Sequence, residues 1–385
     1  MERFRLEGNK KLWGIVIGLL SISLIAVFST IGNLAWVSHG GNTSFFLFKH
    51  GFILLTGFAI IYLIHKHLNI VRFSKLALIV LYISIALLIL TIVAGLNVND
   101  AKRVLQLPLG LTFQPSDIAK IGIVMYLARL MASDNEALKT FSFTKSIIPV
   151  YLPIFLICLL ILPFNLSTAM MVFAISFVML LIGNANAKLL RSLIGIAGLS
   201  VVLTIGIVKV FPDAIPRATT WEHRIENYFS GDNSEEDNYQ ALQSKIAIAN
   251  GWPTGKGYGN STQRHFLPQS YNDFIFSTII EQGGLIALLI LLGIYISFFS
   301  QCFKIASRTT SKFGSYLVQG LAFMIMFQAL INMMVASGIL PVTGQPLPLV
   351  SMGGTSIWMT SIAVGIILSV SRTTEHNTDI KESNE

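Results

Sequence analysis

Residues Phe73–Ala94 read FSKLALIVLYISIALLILTIVA, and this stretch decides the fold class. Its one charge, Lys75, lies near its start, and the remainder is long enough to cross the hydrocarbon core of a bilayer as a helix. The pattern recurs along the chain. Apolar segments predict ten spans, near Leu12–Ile31, Phe45–Ile64, Phe73–Ala94, Ser116–Met131, Ile147–Leu162, Ser167–Ile182, Leu190–Val210, Asp273–Phe299, Gly314–Val335 and Met352–Val370. The first is about as long as the others and lacks a small-x-small cleavage site, so it reads as a signal anchor. The expected fold is all-α and polytopic, with about ten transmembrane helices. Residues 1–371 are expected to form one transmembrane domain and 372–385 a disordered cytoplasmic tail.

Composition agrees. Of 385 residues, 53% are hydrophobic and 12% charged, with 26 Phe. A soluble domain carries about 25% charged residues, so lipid must replace water around much of this surface. The net charge of +8 suggests basic cytoplasmic loops. It does not suggest nucleic acid, because no basic run interleaved with aromatics occurs. Cys158 and Cys302 stand far apart in or beside apolar runs and read as free thiols.

Ten spans place both termini on one side. The segments on that side hold seventeen Lys and Arg; the opposite segments hold seven, namely Lys102, Arg103, Arg217, Arg224, Lys245, Lys256 and Arg264. The basic side is cytoplasmic. Two loops then face outward, a short one at Gly95–Pro115 and a long one at 211–271, between the seventh and eighth spans. A loop as long as the second is functional or disordered. Its Gly231–Asn238 portion is acidic and reads as flexible, and Gln240–Tyr271 reads as ordered.

Charges in or beside spans are expensive and therefore informative. Asp117 and Lys120 open the fourth span three residues apart, so they can pair on one helix face. Asp273 stands where a polar loop meets an apolar helix. There it is either a helix N-cap or a partly desolvated carboxylate shifted toward general-base range. Glu281, eight residues on, is too deep and too far round the helix for a tight dyad with Asp273. The run Gly251–Asn260 is glycine-rich. It reads as an anion-approaching loop or, more plainly, as a turn-rich connector. The outward cations Lys102, Arg103, Arg217 and Arg224 suit a pyrophosphate or are ordinary loop charges. Gly338–Ser356, with three prolines and four glycines among Gly338, Pro341, Gly344, Pro346, Pro348, Gly353 and Gly354, predicts a re-entrant element. Gln328 and Asn332 share a face of the ninth span and read as interhelical hydrogen-bonding residues.

These strings together resemble the SEDS family of shape, elongation, division and sporulation proteins. The matching pieces are Ala101-Lys102-Arg103, Phe113-Gln114-Pro115-Ser116-Asp117-Ile118-Ala119-Lys120, Tyr239-Gln240-Ala241-Leu242-Gln243-Ser244, Gly255-Lys256-Gly257-Tyr258-Gly259, Phe266-Leu267-Pro268 through Phe276, and Pro341–Ser356. They cover about residues 12–371 in the family's order, and the pattern stands nearer to division members than to elongation members.

The resemblance implies a peptidoglycan glycosyltransferase that polymerises lipid II and releases undecaprenyl pyrophosphate on the outer face of the bacterial cytoplasmic membrane. It places the family's essential aspartate at Asp273 and makes that residue the candidate base. Arg103, Lys102, Gln114, Lys120, Arg217, Arg224, Gln240, Lys256 and Lys49 are candidate substrate contacts, and Asp117, Ser351, Gly353 and Gly354 are candidate orienting residues. A divalent ion, Mg or Mn, can share the clamp on pyrophosphate, although no dedicated ligand cluster is visible; no organic cofactor is implied. The implied partners are a class B penicillin-binding protein and other divisome or elongasome membrane proteins.

The chain departs from the family pattern at Asn165, where many members carry Asp. It also departs at Lys49-His50 for Arg-Gln, at Gln269 for Glu and at Tyr271-Asn272 for His-Thr. A lipid II flippase and a non-catalytic divisome scaffold are the rival readings. A flippase, however, has no need of a base at the outer surface.

Overall fold

The computed structural model describes residues 6–32, 34, 42–98, 101–106, 112–133, 138–210, 236–267 and 269–382. In chain order the described elements are α1 (Lys10–Thr30), α2 (Thr43–His67), α3 (Ile70–Ala94), β1 (Leu96–Val98), β2 (Ala101–Gln106), β3 (Thr112–Phe113), α4 (Pro115–Ser133), α5 (Ile148–Ile161), α6 (Leu166–Ile182), α7 (Ala187–Val210), α8 (Glu236–Gly251), α9 (Ile275–Arg308), α10 (Lys312–Ala336) and α11 (Gly354–Glu382). Each predicted span falls on one of these helices. Among the described residues, seven segments are long and apolar enough to cross a membrane, at α1, α2, α3, Phe143–Ile161, α9, α10 and Gly354–Glu375. Of the other predicted spans, α4 carries Asp117, Lys120 and Arg129, α6 has only 17 residues, and α7 is a helix of 24 residues. The protein is a multi-pass membrane protein.

Three features were not expected. The short loop after α3 is not irregular but a three-stranded antiparallel sheet in the order β1-β2-β3. Asn97 pairs with Lys102 and Leu105 with Phe113. The long loop contains helix α8, which begins at Glu236, inside the stretch expected to be flexible. The backbone of α11 continues to Glu382, through most of the stretch expected to be a disordered tail. Cys158 and Cys302 are free, as expected.

The helices group into two compact units. The first takes Met1–Lys66, His223–Lys304 and Ile325–Leu368; the second takes His67–Glu222, Ile305–Met324 and Ser369–Glu385. Within the first, α2 lies close against α11. A Cβ at Gly57 would come 2.9 Å from Ser361 Oγ, and one at Gly365 would come 3.3 Å from Ile61 Cα. Small residues at such contacts let membrane helices approach for dispersion packing, because apolar burial gains little in lipid. Ile53, Leu54 and Ile357 form a cluster there, with Leu20 and Trp358 against it.

Within the second unit, α3 packs on α4, and α4 and α5 pack on α6. Only 28% of the apolar windows of α2 and α3 is buried, so both helices present broad faces to lipid, including Phe48, Phe52, Val71 and Val93. Asn165 begins α6 and its Oδ1 accepts from Thr168 N at 3.1 Å. An amide caps a helix as well as a carboxylate does, so the family departure here keeps a local role.

Candidate active site

The first unit carries Asp273, in a run of tight turns that ends at α9. Asn272 N donates to Gln269 O at 2.9 Å and Phe274 N to the same carbonyl at 3.4 Å. α9 begins at Ile275, so Asp273 precedes it by two residues and does not sit at the cap position expected of a plain N-cap. The side chain is half-buried. Burial first, and then the charge of Asp273, hold the Tyr271 hydroxyl above its ordinary pKa.

The backbone around Asp273 is held by the re-entrant element. Asn332 on α10 donates through Nδ2 to Asp273 O at 2.7 Å and to Gln345 O at 2.8 Å. Ser351 Oγ donates to Asn272 O at 2.6 Å and accepts from Leu347 N at 2.7 Å. Met352 N donates to Tyr271 O at 2.9 Å. A Cβ at Gly344, whose φ is +65°, would lie 3.5 Å from Asp273 Oδ2. The positive φ, rather than space, favours glycine here.

The element itself is irregular backbone beside membrane helices, so its carbonyls need donors. They find them in side chains: Gln328 Nε2 to Pro346 O at 3.0 Å, Tyr295 Oη to Pro348 O at 2.6 Å, and Ser23 Oγ to Val350 O at 2.8 Å. Ser23 Oγ spends its proton on Val350 O and therefore accepts from His50 Nε2 at 2.9 Å. Gln328 and Asn332, expected to join helix to helix, instead join α10 to this element.

The glycine-rich run does not cradle an anion. α9 breaks at Gly284, where φ is 59° and ψ is −148°. Residues 253–257 enter the break. Lys256 N donates to Glu281 O and Gly257 N to Gln282 O, both at 2.9 Å, and Leu285 N donates to Pro253 O at 2.9 Å. The loop thus replaces helix hydrogen bonds lost at the kink. A Cβ at Gly255 or Gly284 would come 2.4 Å from a backbone oxygen, which is why glycine is needed on both sides. The N–H groups of Gly255, Lys256, Gly257, Gly259 and Asn260 are already used.

Lys256, expected as a substrate cation, pairs with the fully buried Glu281 at 3.1 Å and donates to Thr262 Oγ1 at 2.8 Å. Gln240 is half-buried on α8, and Lys49 is exposed on α2. Gly353 accepts the start of α11, since Ile357 N donates to its carbonyl at 3.2 Å. A Cβ at Gly354 would meet nothing within 4 Å, so space does not demand glycine there.

The remaining candidates lie in the second unit or outside the described residues. Asp117 and Lys120 pair at 2.7 Å and are both buried, as the i,i+3 spacing predicted. Gln114 Nε2 donates to Ser116 Oγ at 2.9 Å at the start of α4. Lys102 and Arg103 stand on the central strand β2, with side chains outside the described part. Arg217 and Arg224 lie outside the described residues. Among the described residues, no three His, Cys, Asp or Glu side chains gather as metal ligands.

Sequence reasoning passed over Ser23, Tyr295 and the anchoring role of Glu281. The signal for Glu281 was its cost: a lone carboxylate in an apolar helix needs a partner, and the ordered loop before it offers Lys245, Lys256 and Arg264.

Comparison with known proteins gives the following. Residues 10–376 match the family model of the cell cycle proteins FtsW, RodA and SpoVE. A probable peptidoglycan glycosyltransferase FtsW of Alcanivorax borkumensis is 30% identical over 344 residues, covering 87% of this chain and 86% of its own. The protein of the same name from Enterococcus hirae is 29% identical, covering 98% and 95%. Among solved structures, a chain of a peptidoglycan synthase complex aligns with a TM-score of 0.75 at 23% identity, covering 96% of this chain and 99% of that one. The rod shape determining protein RodA of Thermus thermophilus aligns with a TM-score of 0.67 at 22% identity, covering 95% and 97%. The two structures share the fold.

Proposed function

The chain belongs to the cell cycle protein family of FtsW, RodA and SpoVE, and from that premise we propose that it is a peptidoglycan glycosyltransferase with Asp273 as its general base. It polymerises lipid II. The 4-hydroxyl of the incoming GlcNAc attacks C1 of the MurNAc that ends the growing strand. Asp273 takes the hydroxyl proton as the new C–O bond forms, and the bond to undecaprenyl pyrophosphate breaks with inversion. Pyrophosphate leaves as an anion and needs cations, not a protonating acid. Arg103, Arg217 and Arg224, on the outward loops, fit that need by charge and guanidinium geometry.

One observation carries the assignment of Asp273. Its backbone and that of Asn272 are fixed by Asn332 and Ser351, while its side chain keeps partial access at the mouth of α9. A positioned base needs this combination of a rigid main chain and a reachable carboxylate.

The seventeen-to-seven charge split supports an inner-membrane orientation with both termini cytoplasmic and the site outward. The fold likeness to a peptidoglycan synthase complex supports a class B penicillin-binding protein as partner, and the family supports a place in the divisome or elongasome.

The test is Asp273→Asn. The amide keeps the shape, so folding and insertion stay near normal while glycan-strand synthesis from labelled lipid II falls by about 10²–10⁴-fold. Near wild-type synthesis by a folded Asp273→Asn protein would remove Asp273 from the mechanism.

A further inference from the structure

Glu281 is 0% exposed on a membrane-spanning helix, six residues and about 9 Å beyond the start of α9. Such a carboxylate persists only with partners, and here its two oxygens have several. Oε1 accepts from Lys256 Nζ at 3.1 Å, Thr262 Oγ1 at 2.9 Å, Thr262 N at 3.2 Å and Gln263 N at 3.4 Å. Oε2 accepts from Ser261 Oγ and from Gln263 N at 3.3 Å. The carboxylate itself is fully buried behind Lys256 and Thr262, so it does not meet substrate.

What it holds is the start of the segment that carries Asp273. From Gln263 the chain proceeds by successive turns. Phe266 N and Leu267 N donate to Gln263 O at 3.0 and 2.8 Å, Ser270 N donates to Leu267 O at 3.3 Å, and the turn at Gln269 leads to Asp273. Leu267 and Ser270 are buried, Thr278 Oγ1 donates to Ser270 O at 3.3 Å, and Arg264 Nη1 donates to Ser29 O at 3.1 Å. The segment 263–274 is therefore clamped at its far end by α9 and the re-entrant element, and at its near end by the Glu281 carboxylate together with the Arg264–Ser29 bond.

We propose that Glu281 is a positioning residue for Asp273: its carboxylate, with Lys256 as counter-charge, fixes residues 261–263 and through them the placement of the Asp273 side chain. This rests on the reading of Asp273 as the base. It also assigns Lys256 to the anchor and not to pyrophosphate.

Glu281→Gln is expected to fold, because the three backbone bonds that join loop 253–257 to α9 do not involve the carboxylate. The full-length protein in lipid nanodiscs is tested at varied lipid II, alongside hydrogen exchange of peptides covering 258–274. The expected result is a fall in kcat of about 10²-fold with KM nearly unchanged, as for a base displaced by about 1 Å. Exchange of residues 261–274 should rise by about tenfold or more, with α3–α6 unaffected. Lys256→Met should move both readouts less, since the other donors remain. In an Asp273→Asn background, Glu281→Gln should lower the residual rate no further, because the two act through one group.

A loosened loop with unchanged kcat would overturn the proposal. So would a further fall in the Asp273→Asn background, which would show that Glu281 acts independently. Should Glu281→Gln not be recovered folded, Ser261→Ala with Thr262→Val removes the hydroxyl donors from the loop side and is judged by the same readouts. A wild-type protein that polymerises nothing would overturn the proposed function itself, and with it this role; an active wild type confines any failure to Glu281.

Discussion

Asn332→Leu should damage stability and turnover together. Asn332 is 1% exposed on α10, and its amide nitrogen reaches Asp273 O at 2.7 Å and Gln345 O at 2.8 Å. Leu keeps the branched, four-heavy-atom shape of Asn but is bulkier, so some overpacking adds to the loss of the donors. A buried acceptor deprived of its donor costs about 1–3 kcal/mol, which sets the loss for two carbonyls at about 2–6 kcal/mol. The lower half of that range is expected, because Tyr295, Gln328 and Ser351 still hold the re-entrant element. The same change unties the main chain of Asp273, and a shift of about 1 Å at a base lowers turnover by about 10²-fold. The assay pairs denaturant unfolding of the purified protein with glycan-strand synthesis per folded molecule. Gln328→Leu is the comparator. It removes the donor to Pro346 O at 3.0 Å without touching Asp273, so it should cost about 1–3 kcal/mol and leave turnover near wild type. Wild-type stability and turnover for Asn332→Leu would refute the reasoning. So would a Gln328→Leu protein as inactive as Asn332→Leu, because the effect would then not run through the Asp273 carbonyl.

Arg103→Ala and Arg224→Ala should each weaken use of limiting lipid II by about tenfold or more, the worth of a charge-assisted contact of about 1.5–3 kcal/mol; strand synthesis at low lipid II checks this, and normal rates in both would make them ordinary loop charges. For orientation, Tyr258→Cys in the long loop should react with an impermeant maleimide added outside intact cells, and Lys139→Cys should react only after the membrane is opened. The reverse pattern would invert the topology.

Much of this protein is legible in its sequence because much of it is local. Each membrane helix is a run of adjacent apolar residues, and the positions of all ten predicted spans follow from counting along the chain. The Asp117–Lys120 pair is likewise a matter of three residues on one helix. Sheet β1-β2-β3 was missed because its strands are short, and helix α8 because about half of its residues are polar, with no strong period to read. The glycine run was read as an anion-approaching loop or, more plainly, as a turn-rich connector, because its partner, the break in α9, cannot be seen from Gly255 or Gly284 alone.

Sequence by itself determined the solvent, since residues of this hydropathy have to lie in lipid, and through its motifs it pointed to Asp273. Tertiary structure decided how Asp273 is held. Its supports come from Ser351, 79 residues from the Asn272 carbonyl it binds, and from Asn332, 59 residues from Asp273. Ser23 holds Val350 from 327 residues away, and Lys256 meets Glu281 across 25. A hydrogen bond depends on distance and angle in space. Which of several polar residues in a helix reaches a given carbonyl is settled only when the helices pack, where irregular backbone excluded from water must take the donors that the packing supplies.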